Sequence, residues 1–437
     1  MNESSPKNDN RKFGFETRMI HAGHIPDAVT GSRAVPIYQT TSYVFDSADY
    51  AAQLFDLKQY GNIYTRISNP TTAVLEERIA SLEGATGALA VSSGMAAQFV
   101  ALMTLLSPGD EIVASRHLYG GTVTQLTHTL QKLSISVKFV EPGDISAWEA
   151  AISYKTKALF GETIGNPRGS ILDISKIADL ARSKRIPLII DSTFATPYLC
   201  RPIEFGANIV VHSATKFLGG HGSSIGGMIV DSGDFNFSHY PTIAAPSPSY
   251  HGLRFYDTFG HYGFLMKCRA ETVRDVGSCI SPTNAFLILQ GVETLSLRMD
   301  RHVNNALAVA KFLKGRPEVE WVAYAGLPDH PDYALAQKYL PKGPGAVFSF
   351  GLRNDKGQAR ENGKKLIEAL QIFSHLANVG DVRSLVIHPA STTHQQLSDE
   401  ELTAAGVGPE LIRLSIGLEN VEDLIWDLEQ GFFAVSR

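Results

Sequence analysis

Short apolar runs alternate with helical patterns along residues 67–235. The runs are apolar at almost every position, which is typical of strands that are buried on both faces. The alternation with helices therefore predicts an α/β fold with a mostly parallel central sheet. The predicted strands are 88–91, 111–114, 136–140, 157–160, 187–190, 209–211 and 228–230.

Two of the helical patterns predict helices at defined positions in the chain. Ala96, Phe99, Val100 and Met103 recur at helical spacing and predict one apolar helix face directly after the first strand. Asp173 precedes a second pattern, whose apolar positions run from 174 to 181, and is predicted to cap that helix. Each helix would pack against the sheet through its apolar face.

The pattern changes on either side of this block and predicts three regions. Residues 1–66 combine a polar tail, interpreted as disordered up to position 12, with an extended arm rich in Tyr, Thr and Pro. Residues 67–280 form a large domain. Residues 281–437 form a smaller C-terminal α/β domain, with a long helix over 283–313 and a strand at 346–350.

Composition excludes several classes of protein. The chain has 437 residues, of which 44% are hydrophobic, and a net charge of −5, which does not indicate a face for nucleic acid. Its three cysteines form no CxxC pair, so we expect neither a zinc site nor a disulfide framework, and a reducing cytoplasm fits. No apolar run is long enough to span a membrane, and the polar first twelve residues do not resemble a signal peptide.

The stretch from His212 to His221 carries the most chemical information. Here an apolar strand ends, and Ser213, Thr215 and Lys216 are followed by glycines. A lysine at the end of a buried strand is partly desolvated, which lowers its pKa and makes the amine available as a nucleophile. The two hydroxyl groups lie close enough to bind a phosphate. An ordinary solvent-facing lysine remains an equal alternative from this stretch alone.

Further candidates lie where strands are predicted to end. Asp191 follows one strand, and Gly94 and Met95 open a helix whose N-terminal N–H groups suit a phosphate. Tyr119 offers an aromatic ring and Asn166 an amide. Arg66 and Arg413 are candidates for binding anions, and Tyr64 lies two positions before Arg66. Taken alone, an ordinary helix cap, tyrosine or solvated arginine is the more common interpretation for most of these residues, a turn is about as common for Asn166, and a turn cap is somewhat less common for Asp191. The glycines after Lys216 do not fit a dinucleotide fingerprint, because the third glycine is missing and a strand follows.

Taken together, four motifs favour the functional interpretation of these residues over the ordinary one. They read YTRISNPT from Tyr64, VSSGMAA from Val91, IIDSTFATP from Ile189 and HSATKFLGGH from His212. In this order they resemble the Cys/Met-metabolism family of pyridoxal 5′-phosphate (PLP) enzymes, from about residue 15 to 430. The resemblance implies the PLP-dependent transferase fold type I (aspartate-aminotransferase-like), with a smaller C-terminal α/β domain.

The resemblance also implies a role for each candidate in holding PLP. Lys216 would bind the cofactor as a Schiff base and move protons, while Asp191 would pair with its pyridine nitrogen. Tyr119 would stack on the ring and take part in catalysis, and Asn166 would contact the phenolic oxygen. The phosphate would be held by Gly94, Met95, Ser213 and Thr215, together with Tyr64 and Arg66 from a neighbouring subunit.

Substrate contacts and assembly follow from the same resemblance. Arg413 would bind the substrate α-carboxylate, Ser384 would help to fix the same end, and Tyr64 would also reach the substrate. Because two residues of each site come from a neighbour, the active unit is at least a dimer, and a homotetramer built as a dimer of dimers is expected. No metal is expected.

Three features favour the O-acetylhomoserine sulfhydrylases within the family. Residues 32–45 resemble these enzymes most, and residues 246–281 fit an insertion that they carry. Arg383 stands where enzymes acting on cystathionine commonly have a glutamate, and a cation there would repel a distal ammonium group. The expected reaction is γ-replacement on O-acetyl-L-homoserine by sulfide, or by methanethiol, giving homocysteine or methionine plus acetate.

A methionine γ-lyase, or another γ-eliminating or γ-synthase member, is the alternative. Met95 is more typical of the lyases, whereas Gly121 stands where methionine γ-lyases have a reactive cysteine. The sequence leaves open whether the acyl group on homoserine is acetyl or succinyl.

Overall fold

Two β-sheets organise the part of the chain that the computed structural model describes, which comprises residues 11–166, 168–353, 357–392 and 407–436. The predicted tail up to position 10 and Pro167 of the Asn-Pro turn lie outside the described residues. The two sheets fall within the ranges predicted for the large and the small domain. The domain boundaries themselves stay a prediction.

The larger sheet has seven strands in the order β1-β7-β6-β5-β4-β2-β3. Strands β2 to β6 pair in parallel, whereas β7 runs antiparallel to both of its neighbours, β1 and β6. This confirms the predicted mostly parallel sheet. The strands are β1 Gly87–Val91, β2 Glu111–Ser115, β3 Ser136–Val140, β4 Thr156–Glu162, β5 Leu188–Asp191, β6 Ile209–Ser213 and β7 Gly227–Asp231.

The carboxyl ends of three neighbouring parallel strands bring polar side chains together. Glu162, Asp191 and Ser213 are the last residues of β4, β5 and β6, and Glu162 pairs directly with Asp191 in the ladder. Ligands in sheets of this type bind beyond the carboxyl ends of the strands. The sheet register therefore fixes where the candidate site lies.

The smaller sheet has five strands in the order β10-β11-β12-β9-β8 and is mainly antiparallel. Its central strand, β12, carries Arg413, which pairs with Ser349 and Ile387 on the two flanking strands. The strands are β8 Val319–Ala323, β9 Val347–Leu352, β10 Ser374–His375, β11 Leu385–Ile387 and β12 Leu411–Ser415.

Helices cover both sheets, and short 3₁₀ and π segments extend several of them. In the first half of the chain the α-helices are α1 Phe15–His21, α2 Ala48–Phe55, α3 Pro70–Glu83, α4 Gly94–Leu105, α5 Gly120–Thr124, α6 Ile145–Ala151, α7 Ile174–Lys184 and α8 Thr196–Leu199. In the second half they are α9 Pro241–Ala244, α10 Phe255–Phe259, α11 Gly263–Lys267, α12 Arg274–Val276, α13 Pro282–Val292, α14 Leu295–Lys314, α15 Tyr333–Tyr339, α16 Ala359–Ala369 and α17 Val421–Val435. Among the described residues, none of these helices has the length and apolar character needed to cross a membrane.

Local capping explains where the helices next to the site begin. The Ser93 side chain accepts a hydrogen bond from the Ala96 N–H and starts α4, and the Asn69 side chain accepts one from the Thr71 N–H and starts α3. Such caps satisfy N–H groups that have no partner within the helix and contribute about 1 kcal/mol each. They fix the direction in which the α4 N-terminus points.

Two predictions about helix surfaces need correction. Of the predicted apolar face of α4, Val100 is fully buried, whereas Ala96, Phe99 and Met103 are only partly buried, because the helix also buries another side, including Ala97 and Ala101. Asp173 stands at the N-cap of α7 but makes no capping hydrogen bond. Its carboxylate instead accepts a hydrogen bond from the Tyr339 hydroxyl and pairs with Lys176. A tyrosine hydroxyl from a distant part of the chain thus outcompetes the local cap for this carboxylate.

The long helix predicted over 283–313 is in fact two helices, α13 and α14, separated at Glu293 and Thr294. At the break, the Glu293 carboxylate pairs with the fully buried Arg78, at 3.0 Å. The predicted arm also contains more regular structure than expected, because α1 and α2 lie within it. The hydrophobic periodicity of the sequence does not report the contact between Glu293 and Arg78, which are far apart in the chain.

Candidate active site

A cavity of about 280 Å³ opens at the carboxyl ends of β4, β5 and β6. It lies between the large sheet and the segment of the small sheet that carries Arg413. Most of the residues predicted from the sequence meet there. Those that line it are Gly94, Met95, Tyr119, Asn166, Asp191, Ser213, Thr215, Lys216 and Arg413.

Tyr64 and Arg66 do not line this cavity. Both are exposed on the arm, with the Arg66 guanidinium carbon 5.4 Å from the centre of the Tyr64 ring. Their contribution to the site of a neighbouring subunit stays a prediction.

Ser384 is fully buried and also lies outside the residues that line the cavity. Its hydroxyl donates to Glu419 Oε2 at 2.9 Å and accepts from the Gly417 N–H at 2.8 Å. These bonds hold the loop after β12 in place. Direct contact between Ser384 and substrate stays a prediction.

Arg383 does not stand among the residues that line the cavity, so its predicted repulsion of a distal ammonium group needs correction. Its side chain is 65% exposed, and its guanidinium binds the carboxylate of Asp381 at 3.0 Å instead of lining the cavity. A paired, solvated cation outside the cavity exerts little repulsion on a substrate ammonium group. What remains of the argument is that no glutamate stands at position 383 to attract such a group.

The Lys216 amine is largely buried at the centre of the site. Its Nζ donates to Asn378 Oδ1 at 2.5 Å. Burial lowers the pKa of this amine, and the positive charge of Arg413 lowers it further. Since both effects favour the neutral form, the residue is suited to act as nucleophile and base near neutral pH.

Asn378 was missed by sequence reasoning, although it makes the closest polar contact with Lys216. It lies 162 positions further along the chain, beside the apolar cavity residues Ala377 and Val379. No local motif distinguishes it, because only the packing of the small sheet against the large one brings it to the amine.

Asp191 lies at the floor of the cavity with both carboxylate oxygens engaged. Oδ1 accepts from the Thr193 N–H at 2.9 Å and from the Thr193 hydroxyl, and Oδ2 accepts from Gln98 Nε2 at 3.1 Å. Burial raises the pKa of this carboxyl, although the hydrogen bonds oppose the shift. A cationic partner in the cavity would relieve this cost of burial. Gln98, one turn into α4, is a second contact that the sequence did not reveal.

A second carboxyl group, Glu162, lies beside Asp191. Its Oε1 accepts from the Tyr119 N–H at 2.6 Å. Burial and the nearby Asp191 raise the pKa of Glu162 well above its usual value. The pair therefore disfavours two negative charges at once, and Glu162 serves mainly to hold the loop that carries Tyr119.

The corner between α4 and β6 is built from closely approaching backbones. A Cβ at Gly94 would lie 2.6 Å from the Ser213 Cβ, and one at Gly227 would lie 2.0 Å from the Ser93 carbonyl oxygen. Only glycine fits at either position. The α4 N-terminus is thus brought next to Ser213 and Thr215, where backbone donors and hydroxyl groups together suit a phosphate.

These features fit PLP. The α4 N-terminus and the two hydroxyl residues can hold its phosphate, Asp191 offers a carboxylate to its pyridine nitrogen, and the buried Lys216 amine can bind its aldehyde carbon. Tyr119 is half exposed at the cavity wall, where its ring can cover the cofactor.

Comparison with known proteins agrees with this geometry. The model of the family described as "Cys/Met metabolism PLP-dependent enzyme" matches residues 16–433 of the chain. The chain is 50% identical to the O-acetyl-L-homoserine sulfhydrylase of Leptospira meyeri, covering 98% of both chains. It is also 50% identical to the homocysteine synthase of Schizosaccharomyces pombe, covering 95% of this chain and 97% of that relative.

A solved structure shares the whole fold. The putative O-acetylhomoserine (thiol)-lyase from Campylobacter jejuni, which carries a pyridoxyl-lysine phosphate, superposes with a TM-score of 0.92 at 41% identity, over 97% of this chain and all of that one. This confirms the predicted fold type and PLP as the cofactor. The chain belongs to the Cys/Met-metabolism family of PLP-dependent enzymes.

Proposed function

We propose that this enzyme catalyses γ-replacement on O-acetyl-L-homoserine, in which sulfide displaces acetate and L-homocysteine is formed. The observation that carries the proposal is the single cavity in which Lys216, Asp191 and Arg413 converge. The similarity to O-acetylhomoserine sulfhydrylases over nearly the full chain supports this choice of substrate. Methanethiol, which would yield methionine, is the second sulfur donor that we propose.

Bound PLP supplies an electron sink that stabilises negative charge at the substrate carbons next to its amino group. The protein must supply a group that moves protons at those carbons. We assign this role to Lys216, whose burial keeps its pKa below that of a solvated lysine. A group with a pKa near the working pH serves both as base and, later, as acid.

Arg413 orients the substrate through its α-carboxylate. The guanidinium projects from the centre of the small sheet into the cavity, where burial lowers its pKa. An arginine can bind a carboxylate through two parallel hydrogen bonds, which fixes direction as well as position. With the α-carboxylate held, the side chain of the substrate has to fit within the rest of the cavity.

The rest of the cavity wall is largely apolar. Ile164, Phe194, Ile225 and Val379 line it. Such a wall holds little water, so a small sulfur nucleophile meets little competition from water at Cγ.

Gly121 supports γ-replacement over a γ-lyase activity. A Cβ at this position would lie 2.4 Å from the Tyr119 ring. Any larger residue, such as the cysteine found at this position in methionine γ-lyases, would displace the ring from its present place. The cavity is therefore shaped around Tyr119 without a neighbouring thiol.

We further propose that the enzyme works as a dimer, assembled into a dimer-of-dimers tetramer. The arm exposes large apolar side chains, including Val44 at 96% and Tyr60 at 84%. Contiguous exposed apolar surface favours a protein interface. A partner subunit that covers this arm would receive Tyr64 and Arg66 at its own cavity.

A cytoplasmic location is also part of this proposal. All three cysteines are free, and burial raises the pKa of the Cys200 and Cys268 thiols. Free thiols of this kind persist in a reducing compartment.

The first prediction concerns the lysine. Lys216→Ala should lose the visible absorption band of the lysine-bound cofactor and at least 1,000-fold in turnover, because no other described residue at the cavity carries an amine. The check is the spectrum after incubation with PLP, beside homocysteine formation from O-acetylhomoserine and sulfide. A wild-type spectrum with normal turnover would disprove the assignment.

The second prediction separates the charge of Arg413 from its shape. In Arg413→Gln, removal of the cation raises the pKa of Lys216, so covalent capture of PLP by the apoenzyme should require a higher pH. Arg413→Lys keeps the charge and should keep the wild-type pH profile. Both variants should raise the KM for O-acetylhomoserine about 10- to 100-fold, because a charge-assisted hydrogen bond pair is lost. Identical pH profiles for wild type and Arg413→Gln would contradict the electrostatic coupling.

The third prediction tests whether Glu162 acts as an acceptor and not as a charge. Glu162→Gln keeps an oxygen for the Tyr119 N–H and should retain most activity. Glu162→Leu leaves that buried donor without a partner and should lower stability by about 1–3 kcal/mol. Denaturant unfolding and steady-state kinetics of the two variants distinguish these roles. A Gln variant as impaired as the Leu variant would show that the carboxyl itself is needed.

The fourth prediction tests whether sites are shared between subunits. A Lys216→Ala chain and a Tyr64→Ala chain, each nearly inactive, should regain about a quarter of wild-type activity when they are unfolded, mixed and refolded together. In a mixed dimer one of the two sites receives an intact Lys216 and an intact Tyr64 from different chains. No recovery in verified mixed dimers would place Tyr64 in its own chain's site.

A further inference from the structure

One face of α14 carries three buried polar residues. Arg298, His302 and Asn305 follow one another at helical spacing and are 5%, 0% and 2% exposed, respectively. None of them lines the cavity. Buried polar groups are costly unless their hydrogen bonds are satisfied, so their partners reveal what this face does.

Arg298 binds backbone carbonyls that directly follow the catalytic lysine. Its Nη1 donates to the Phe217 oxygen at 2.8 Å, and its Nη2 donates to the Leu218 oxygen at 3.2 Å and to the Gly291 oxygen at 2.6 Å. Among the described residues, its partners are backbone carbonyls and the Thr294 hydroxyl, with no carboxylate. The guanidinium thus holds the loop of Lys216 onto the break between α13 and α14.

The loop of Lys216 packs closely against Arg298 and α13. A Cβ at Gly220 would lie 2.2 Å from Arg298 Nη1, and one at Gly291 would lie 2.1 Å from the Gly219 carbonyl oxygen. Burial lowers the pKa of Arg298 to about 10, so the side chain still carries its charge at neutral pH. A buried cation without a carboxylate remains favourable only if several oxygens surround it, which requires the loop to keep this shape.

The other two residues hold a different segment. The His302 Nδ1–H donates to the Ile416 oxygen at 2.6 Å, and Asn305 Nδ2 donates to the Gly417 and Glu419 oxygens at 3.0 and 2.9 Å. These carbonyls directly follow β12, the strand that carries Arg413. Burial lowers the pKa of His302 to about 4, which keeps its ring neutral.

The two held segments also contact each other through one residue. The Val382 N–H donates to the Gly220 oxygen at 2.8 Å, and the Val382 oxygen accepts from the Leu418 N–H at 2.8 Å. The Phe217 ring, next to Lys216, packs edge-on against His302 with centroids 5.1 Å apart. The loop of Lys216 and the segment after Arg413 therefore share one support.

We propose that α14 sets the spacing between the two ends of the active site, with Arg298 as a positioning residue for Lys216 and Asn305 as a positioning residue for Arg413. The assignment of Arg298 needs only PLP attachment, whereas that of Asn305 rests on the proposed function. A displacement of about 1 Å in a reacting group can cost about 100-fold in rate, so a rigid common support matters.

The experiment on Arg298 measures the rate of PLP attachment to Lys216 and needs no substrate. Apoenzyme of Arg298→Met should attach PLP to Lys216 about 10- to 100-fold more slowly than wild type, because the loop loses its three-carbonyl clamp. Attachment is measured by borohydride reduction at timed intervals and mass spectrometry of the Lys216 peptide. Arg298→Lys, which keeps a cation, should recover part of the rate. Lys311→Met, which removes an exposed cation from the same helix, is the matched control and should behave as wild type.

The experiment on Asn305 separates substrate binding from cofactor attachment. Asn305→Leu should attach PLP at the wild-type rate but raise the KM for O-acetylhomoserine about 10-fold, since loss of its two hydrogen bonds lets the Arg413 segment shift. Asn304→Leu, the same change at the exposed neighbouring position, should leave KM unchanged. If Asn305→Leu does not fold, Asn305→Ser, which creates a cavity but keeps a donor, provides the same comparison.

Two results would overturn the proposal. One is that Arg298→Met attaches PLP at the same rate as the Lys311→Met control, when thermal unfolding curves show that both proteins are folded. The other is that the Arg298 and Asn305 variants show the same combination of slow PLP attachment and raised KM, which would indicate general destabilisation of α14. If the proposed substrate is wrong, the wild-type enzyme will fail the KM assay, but the rates of PLP attachment will still test the role of Arg298.

Discussion

The burial of the Lys216 amine beside the cation of Arg413 is the constraint on which the rest of the site depends. Both effects lower the pKa of the amine and so favour the neutral form that PLP chemistry requires. Such an arrangement is unfavourable for an isolated lysine. It persists because Asn378 accepts a hydrogen bond from the amine and because the surrounding strands and α14 hold the loop in place.

The carboxyl groups of the cavity present the converse electrostatic problem. Asp191 and Glu162 are neighbouring buried carboxyl groups, and burial raises the pKa of each. Hydrogen bonds from Thr193 and Gln98 stabilise the charge on Asp191, whereas Glu162 accepts the Tyr119 N–H. The same cavity therefore presents both basic and carboxylic side chains. A zwitterionic cofactor and an amino-acid substrate complement both.

Backbone approach matters as much as charge in this architecture. Glycines at the α4 N-terminus, in β7 and in α13 let main chains meet where any side chain would collide. The phosphate corner and the loop of Lys216 both depend on such contacts. This explains why the glycines around the predicted motifs serve a tight strand-to-helix fit and not a dinucleotide fingerprint.

The sequence by itself determined the parallel sheet, the PLP motif residues and the ends of most strands, because continuous apolar runs and local motifs depend on neighbours in the chain. It did not determine the contacts that join distant segments. Asn378 and Gln98 were missed, the helix predicted over 283–313 is two helices that meet where Glu293 pairs with Arg78, and Arg383 is paired with Asp381 outside the cavity. These outcomes depend on which buried charges find partners across the fold, and only the tertiary structure decides that.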